Sequence, residues 1–356
     1  MIGLPTDSHG TALGQERAAG RRIVFLEAVR GVAACLVVVE HMLITRYPVF
    51  YEWTVENFSM GRAGVVAFFV VSGYVIPLSL ANQSVRSFAI RRCFRLFPTY
   101  LLALSLVVVL DPGEIGELSV SVVVLNVLML QTLIGAPLIL GVAWTLSLEL
   151  VYYVQSGVAK YFNVLDSSLH AGWIWLTIFL GASISERATG TDLPVTFPML
   201  LFCASLGHAL HLRESHGSQA WRYLLLGGML TVPIGYSVAN GLDGEQPWSP
   251  TALVLSFIAG LGLYTGIAVR GRQRVPAVLI WLGAVSYAIY VLHPATGALV
   301  SERLALTDPF RLVLEIVVLF GAAQLVHRWI ELPSISLGKR LSGGRRQTDP
   351  ADLSVP

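Results

Sequence analysis

The sequence predicts an all-α polytopic integral membrane protein with about ten transmembrane helices and both termini cytoplasmic. Three observations carry that prediction: the apolarity of the whole chain, the recurrence of apolar runs near spanning length from end to end, and the placing of arginines between those runs. Of the 356 residues, 54% are hydrophobic and only 13% charged, and the mean hydropathy is +0.67. A formal net charge of +2 gives no electrostatic basis for a nucleic-acid partner. Cys35, Cys93 and Cys203 stand singly with no ligand spacing, so they read as buried thiols, not disulfides or metal ligands. No metal site is predicted.

Taken in order, helical stretches fall at 23–44, 63–80, 96–110, 118–133, 143–162, 171–185, 195–212, 223–239, 251–269, 277–299 and 310–330. Residues 1–22 lack an apolar h-region and read as a cytoplasmic segment, not a cleaved signal. Residues 23–333 form the membrane domain, and 334–356 a polar cytoplasmic tail expected to be disordered beyond Ser342. Short cytoplasmic loops hold an excess of Lys and Arg. Arg17, Arg21 and Arg22 precede the first stretch, and Arg86, Arg91, Arg92 and Arg95 follow the second, so both regions belong inside. If all eleven stretches crossed, Arg270, Arg272 and Arg274 and the tail's Lys339, Arg340, Arg345 and Arg346 would lie outside, and the acidic loop of Asp243 and Glu245 inside. Removing one crossing between 96 and 162 corrects every late loop at once. The stretch 118–133, after Asp111, Glu114 and Glu117, is the one expected to lie at the interface or to re-enter. The matched broken helices that mark many secondary transporters are not evident.

The first stretch is the most informative. It reads FLEAVRGVAACLVVVEHM from Phe25 to Met42, apolar enough to enter a bilayer yet carrying Glu27, Arg30, Glu40 and His41. An ionisable residue at membrane depth costs about 2.5–3.5 kcal/mol on insertion scales. At about 100° per residue, the steps from Arg30 to His41 return to within roughly 20° of one helix face, about 16 Å apart along the axis. Glu27 falls near the same face. A stripe of carboxylate, guanidinium and imidazole facing the protein interior is a site or a conduit; the competing reading is a structural ion-pair network, with Arg30 snorkelling to the interface. Imidazole is suited to take a proton from a hydroxyl near neutral pH. Glu40 points about 100° from His41, which reads as a separate helix contact or a lumen-facing charge.

Further constellations follow along the chain. In FFVVSGYVIP, Phe68 to Pro77, Ser72 and Gly73 are small and Pro77 removes a backbone donor, which suits close helix packing or a thin substrate tunnel. RRCFRLFP, Arg91 to Pro98, is a topology anchor; Arg91 and Arg95 would also share a face if helical, and guanidinium forks match phosphates, so a phosphate-bearing cytosolic cofactor is the sharper reading of Arg91, Arg92 and Arg95. AWTLSLELVYY, Ala143 to Tyr153, places Glu149 in an apolar helix with Tyr152 and Tyr153 one turn on; Trp144 is an interface aromatic or a substrate contact. SYAIYVLHP, Ser286 to Pro294, lines Ser286, Tyr290 and His293 along one face, with Pro294 setting His293 at a break in the pattern. His208, His211, His327 and Arg328 lie near helix ends, where interfacial anchoring is the default.

Together these residues resemble the membrane-bound acyltransferase-3 family, whose members O-acylate bacterial surface sugars and some natural products. The resemblance rests on Arg30 and His41 with ten residues between, on Phe68 to Tyr74, and on RxxR and proline at Arg91 to Pro98. It continues through Trp144 to Glu149, Ser286 to His293, and Glu331 with Pro333. Departures are Glu27 where the family usually has Asp, Thr145 in place of Ser, and Glu40 beside the histidine. The resemblance implies transfer of an acyl group, commonly acetyl, from cytosolic acyl-CoA, a co-substrate and not a tightly bound cofactor. The acceptor would be the hydroxyl of a glycan or lipid-linked sugar, in the bacterial inner membrane and beside polysaccharide-synthesis machinery. It implies that Arg91, Arg92 and Arg95 lie near the CoA phosphates and that His41 is the principal catalytic residue. On the residues' own chemistry, Arg30 orients or neutralises the donor and His41 deprotonates the acceptor or relays the acyl group. Glu27 and Glu149 support that site, while Ser72, Trp144, Tyr152, Tyr290 and His293 contact substrate. A transporter or flippase of lipid-linked saccharides is the competing reading, and dependence on acyl-CoA separates the two.

Overall fold

The computed structural model describes residues 8–110, 119–239, 248–270, 275–303 and 308–343, with the backbone alone at 8–23, 269–270 and 301–303. Among these residues the chain is all helical. Its elements are α1 (Ser8–Ile44), α2 (Pro48–Glu56), α3 (Met60–Ala81), α4 (Val85–Leu110), α5 (Val120–Val127), α6 (Trp144–Tyr161), α7 (Ser168–Thr189), α8 (Thr196–His216), α9 (Ala220–Ala239), α10 (Pro250–Arg270), α11 (Ala277–Arg303), α12 (Asp308–Val326) and α13 (Leu332–Leu341). Short 3₁₀ turns occupy Gln131–Ile134 and Gly141–Ala143, and a π-helical turn, His327–Glu331, joins α12 to α13.

Six described helical stretches are long and apolar enough to cross a membrane: Met60–Ala81, Val85–Leu110, Ser168–Thr189, Pro250–Ala268, Ala277–Val300 and Asp308–Leu341. The other long helices, α1, α6, α8 and α9, fall short on that measure. Ionisable and polar groups such as Glu27, Arg30, Glu149, His208 and Arg222 lie within them. Large apolar side chains such as Val109, Leu230 and Val317 are exposed on outer faces, as a lipid-facing surface requires. The described part of the stretch expected at 118–133, residues 119–133, does not form a spanning helix. Its eight-residue α5 rises about 12 Å against a hydrocarbon core of about 30 Å. Asn126 pins this short segment: its amide donates to the carbonyls of Val122 and Pro137, each at 2.9 Å, and accepts from the Ile139 N–H at 3.0 Å.

Helices α1 and α3 form the centre. On one side α3 packs on α8 and α10, with α7 and α9 against α8; on the other α1 packs on α11, which meets α12 and α4, and α13 lies on α4. Without a hydrophobic drive between helices in lipid, small residues decide which backbones meet. A Cβ on Gly73 would stand 1.8 Å from the Ala204 carbonyl oxygen of α8, and one on Gly283 would stand 2.2 Å from the Glu27 carbonyl oxygen of α1. The first contact seats Ser72, and the second sets Glu27 and Arg30 against α11.

Several boundaries differ from expectation. The helix expected at 23–44 begins at Ser8, because Ala12, Leu13, Glu16 and Ala18 are strong helix formers in the polar segment. The arginine segment is the first half of a continuous α4 that tolerates Pro98 inside it. Residues 334–341 are helical and packed on α4, with Gly338 against Phe94, so they belong with the core and not with a detached tail. Only Cys203 is a fully buried thiol; Cys93 is exposed on α4 and Cys35 is half-buried. His208 is buried within α8 and is not an interfacial anchor. The sidedness residues Asp111, Glu114, Glu117, Asp243, Glu245, Arg272, Arg274, Arg345 and Arg346 lie outside the described residues, and the side chains of Arg17, Arg21, Arg22 and Arg270 are likewise not described.

Candidate active site

A cavity of about 400 Å³ opens among α1, α3, α4, α6, α11 and α13. Five fixed cations line it, Arg30, Arg91, Arg92, Arg95 and Lys339, against three carboxylates, Glu27, Glu149 and Glu331, leaving two positive charges in excess with His327 neutral. Ser72, Tyr153, Tyr287 and Tyr290 add hydroxyls, and Leu26, Phe68, Phe69 and Val75 supply apolar wall. Anionic, partly apolar ligands fit such a lining.

The charges are organised in pairs. Arg30 reaches Glu27 at 3.4 Å one turn back on α1. Tyr153 donates to Glu149 at 2.6 Å, and Ser72 lies 3.5 Å from the same carboxylate oxygen. Arg95 sits where Glu331, Glu27 and Glu149 all act on its charge. Arg91 donates to the Ser342 hydroxyl at 2.9 Å, tying α4 to the end of α13, and the Arg92 guanidinium lies over the rings of Phe88 and Tyr153. One full turn of helix thus places all three arginines of the RxxR segment on the cavity wall.

Away from the arginines the lining includes Val65, Phe68, Thr145 and Tyr290. The Tyr290 hydroxyl is paired with Thr145 Oγ1 at 2.7 Å and lies 3.2 Å from the Val142 carbonyl oxygen. The hydroxyl retained by Thr145 is what this contact uses, which explains why threonine serves there in place of serine. Beyond Tyr290, by about 4.5 Å of helix rise, His293 meets His41 edge to face, with ring centroids 5.0 Å apart.

Elementary hydrogen-bond chemistry fixes both imidazoles. His41 Nδ1 lies 2.8 Å from the Val37 carbonyl oxygen and His293 Nδ1 lies 2.8 Å from the Tyr290 carbonyl oxygen. A carbonyl only accepts, so in each ring Nδ1 carries the proton and, in the neutral ring, Nε2 keeps its lone pair. For His293 the cause is sequential: Pro294 has no N–H, which deprives Tyr290, four residues back, of its helical partner, and the neighbouring imidazole takes that place. His41 and His293 therefore present matching basic nitrogens.

Glu27, Arg30, Ser72, Arg91, Arg92, Arg95, Glu149 and Tyr290 thus share one cavity, with His41 and His293 paired behind Tyr290. Trp144 and Tyr152 do not join them. Trp144 stacks on Phe197 of α8 at 6.0 Å, because the first residue of α6 faces that helix. Tyr152 is buried on another face of α6, within reach of Ser156, and its neighbour Tyr153 is the one on the cavity. Ser286 bonds within its own helix to the Gly283 carbonyl. Glu40 is buried away from the cavity, where it accepts from the Ser59 hydroxyl at 2.7 Å and the Gly61 N–H at 3.0 Å. It holds the N-terminus of α3, where a carboxylate is favoured. Sequence reasoning missed His327 and Lys339, which also line the cavity. His327 Nδ1 lies 2.9 Å from Glu331 Oε2 across the π turn, a geometry frequent at functional sites. The signal was Glu331 two residues before Pro333, with a histidine four residues earlier. Among the described residues no group of His, Cys, Asp and Glu could hold a metal ion.

A family model described as an acyltransferase domain, acyltransferase-3, matches residues 23–326, which include α2 to α12 and most of α1. No curated protein and no solved structure matches the chain. The apolar helices, the charged cavity within them and the family match agree: this chain is an integral membrane protein that belongs to the acyltransferase-3 family.

Proposed function

We propose that this protein O-acetylates a glycan or lipid-linked saccharide, taking the acetyl group from acetyl-CoA on the cytoplasmic side of the bacterial inner membrane. In this reading the chain crosses ten times with both termini cytoplasmic, through α1, α3, α4 and α6 to α12, while α5 stays on one side. The observation that carries the reading is one cavity lined by Arg91, Arg92, Arg95 and Lys339, with a pair of imidazoles behind Tyr290.

The donor's diphosphate and 3′-phosphate face Arg91, Arg92, Arg95 and Lys339, where charge-assisted bonds to guanidinium are roughly twice as strong as neutral ones. The pantetheine arm follows the apolar wall of α3 toward Tyr290, past Arg30, Ser72 and Glu149. There His41 Nε2 acts as catalytic base or acyl relay. In transfer to a hydroxyl, the C–O bond forms as the C–S bond breaks, and the hydroxyl proton ends on the departing thiolate as CoA–SH. A positioned general base contributes typically about 10²–10⁴-fold to such a step.

The experiment presents radiolabelled acetyl-CoA to the outside of inverted membrane vesicles, whose cytoplasmic face is outward, and follows label into membrane-associated glycan. Label that depends on this protein and on acetyl-CoA supports the acetyltransferase. Saccharide translocation by the same vesicles, with acetyl-CoA neither consumed nor required, would replace it with a flippase.

A further inference from the structure

His293 Nε2 is the one imidazole nitrogen of the pair that the fold leaves buried and unserved. The residue is 4% exposed, and its Nε2 has no hydrogen-bond partner. Its tautomer is set from the other side of the ring by the Tyr290 carbonyl, so the unserved atom is a lone pair that requires a donor. A buried acceptor without a donor costs about 1–3 kcal/mol. In a helix that otherwise satisfies its polar groups, even diverting a histidine to the carbonyl freed by Pro294, that cost points to a hydroxyl that arrives with substrate. The edge-to-face contact with His41, ring centroids 5.0 Å apart, brings the two imidazoles within reach of one substrate.

We infer that His293 Nε2 binds the acceptor's hydroxyl hydrogen and takes the proton, which leaves His41 as the acyl relay. This division of labour rests on the function proposed above. In the first step His41 Nε2 attacks the thioester carbonyl, the C–N bond forms, the C–S bond breaks and CoA thiolate departs. In the second step the acceptor oxygen attacks that carbonyl as its proton passes to His293 Nε2; the C–O bond forms and the C–N bond breaks. The proton on His293 then passes through solvent to the thiolate, giving CoA–SH. Tyr290, bonded to Thr145 on the cavity side, has its ring 6.1 Å from that of His293 and so links the donor cavity to this acceptor position.

The test compares two acceptors in membranes carrying the full-length protein: the membrane glycan, whose hydroxyl needs a base, and hydroxylamine, whose nitrogen already presents a lone pair. His293→Asn keeps an N–H where Nδ1 meets the Tyr290 carbonyl and removes Nε2; His293→Gln is read in the same way should the first variant fail to accumulate. The expected result is a fall of about 10²–10⁴-fold in transfer to glycan with a much smaller fall for hydroxylamine, so that the ratio of the two rates rises about 100-fold. Equal losses with both acceptors would make His293 a positioning residue and overturn the assignment, as would undiminished transfer to glycan. His41→Ala abolishes transfer to both acceptors. Transfer that survives His41→Ala overturns the histidine relay while the acyltransferase stands, and a wild-type protein that labels neither acceptor strikes instead at the proposed function itself.

Discussion

Gly73→Ala is the substitution whose effect the backbone geometry defines most sharply. The added Cβ would lie 1.8 Å from the Ala204 carbonyl oxygen and 2.6 Å from its carbon, both backbone atoms with no side-chain freedom. Moving from 1.8 Å to an ordinary contact of 3.4 Å requires α3 and α8 to part by about 1.6 Å. Gly207, which crosses Val70 in the same interface with a Cβ position 2.0 Å from that carbonyl, must move as well. Overpacking a core costs about 1–3 kcal/mol, and a rigid backbone clash at the centre of the bundle belongs at or above the top of that range. Because Ser72 neighbours Gly73 and faces Glu149 across the cavity at 3.5 Å, the same displacement opens the cavity wall and lowers transfer. The assay is thermal unfolding of the protein in nanodiscs, with Gly181→Ala as the matched control: nothing lies within 4 Å of its Cβ position, and alanine is the better helix former by about 1 kcal/mol. If Gly73→Ala melts with wild type, the glycine-mediated contact of α3 with α8 is not what holds the centre together.

Three further outcomes follow from the same geometry. Replacing Arg91 and Arg92 together by glutamine is expected to raise the acetyl-CoA KM by about 10²–10⁴-fold, each charge-assisted bond being worth about 1.5–3 kcal/mol, and to flatten its dependence on salt; an unchanged KM would place the donor elsewhere. Thr145→Val removes the hydroxyl paired with Tyr290 and should slow transfer by about 2–10-fold, in line with a net hydrogen-bond value of about 0.5–1.5 kcal/mol, while Thr145→Ser stays near wild type in initial rates. Glu40→Ala strips the N-terminus of α3 of its acceptor and should cost about 1–2 kcal/mol of stability, read as a lower unfolding temperature with the acetyl-CoA KM unaltered.

The fold was legible where periodicity and cost speak together. Each long helix was expected within a few residues at its apolar core, and the stretch singled out as unable to cross is the one that folds as short α5. What hydropathy could not show is packing between helices, since it sees neither Gly73 beneath Ala204 nor Gly283 against Glu27. It also misjudged ends outside the apolar region, where helix propensity continued α1, α4 and α13. Of the residues singled out for the electrostatic cost of their burial, Glu27, Arg30 and Glu149 line one cavity, and His41 meets His293. Residues chosen by proximity in sequence fared worse, because one step along a helix turns a side chain by about 100°. That rotation exchanges Tyr152 for Tyr153 and takes Trp144 to Phe197. His327 escaped notice because its orientation depends on the π turn before Pro333, a local departure from helical periodicity.

Acetyl transfer from acetyl-CoA, with the chemistry on α1, is the central proposal. The most direct measurement follows label from radiolabelled acetyl-CoA into membrane-associated glycan, with wild-type protein and His41→Ala present at equal abundance in the membrane. The expected result is transfer by the wild type and its loss, by at least about 10²-fold, in His41→Ala. Equal transfer by the two proteins would contradict it, removing His41 from the reaction even though the acyltransferase remained.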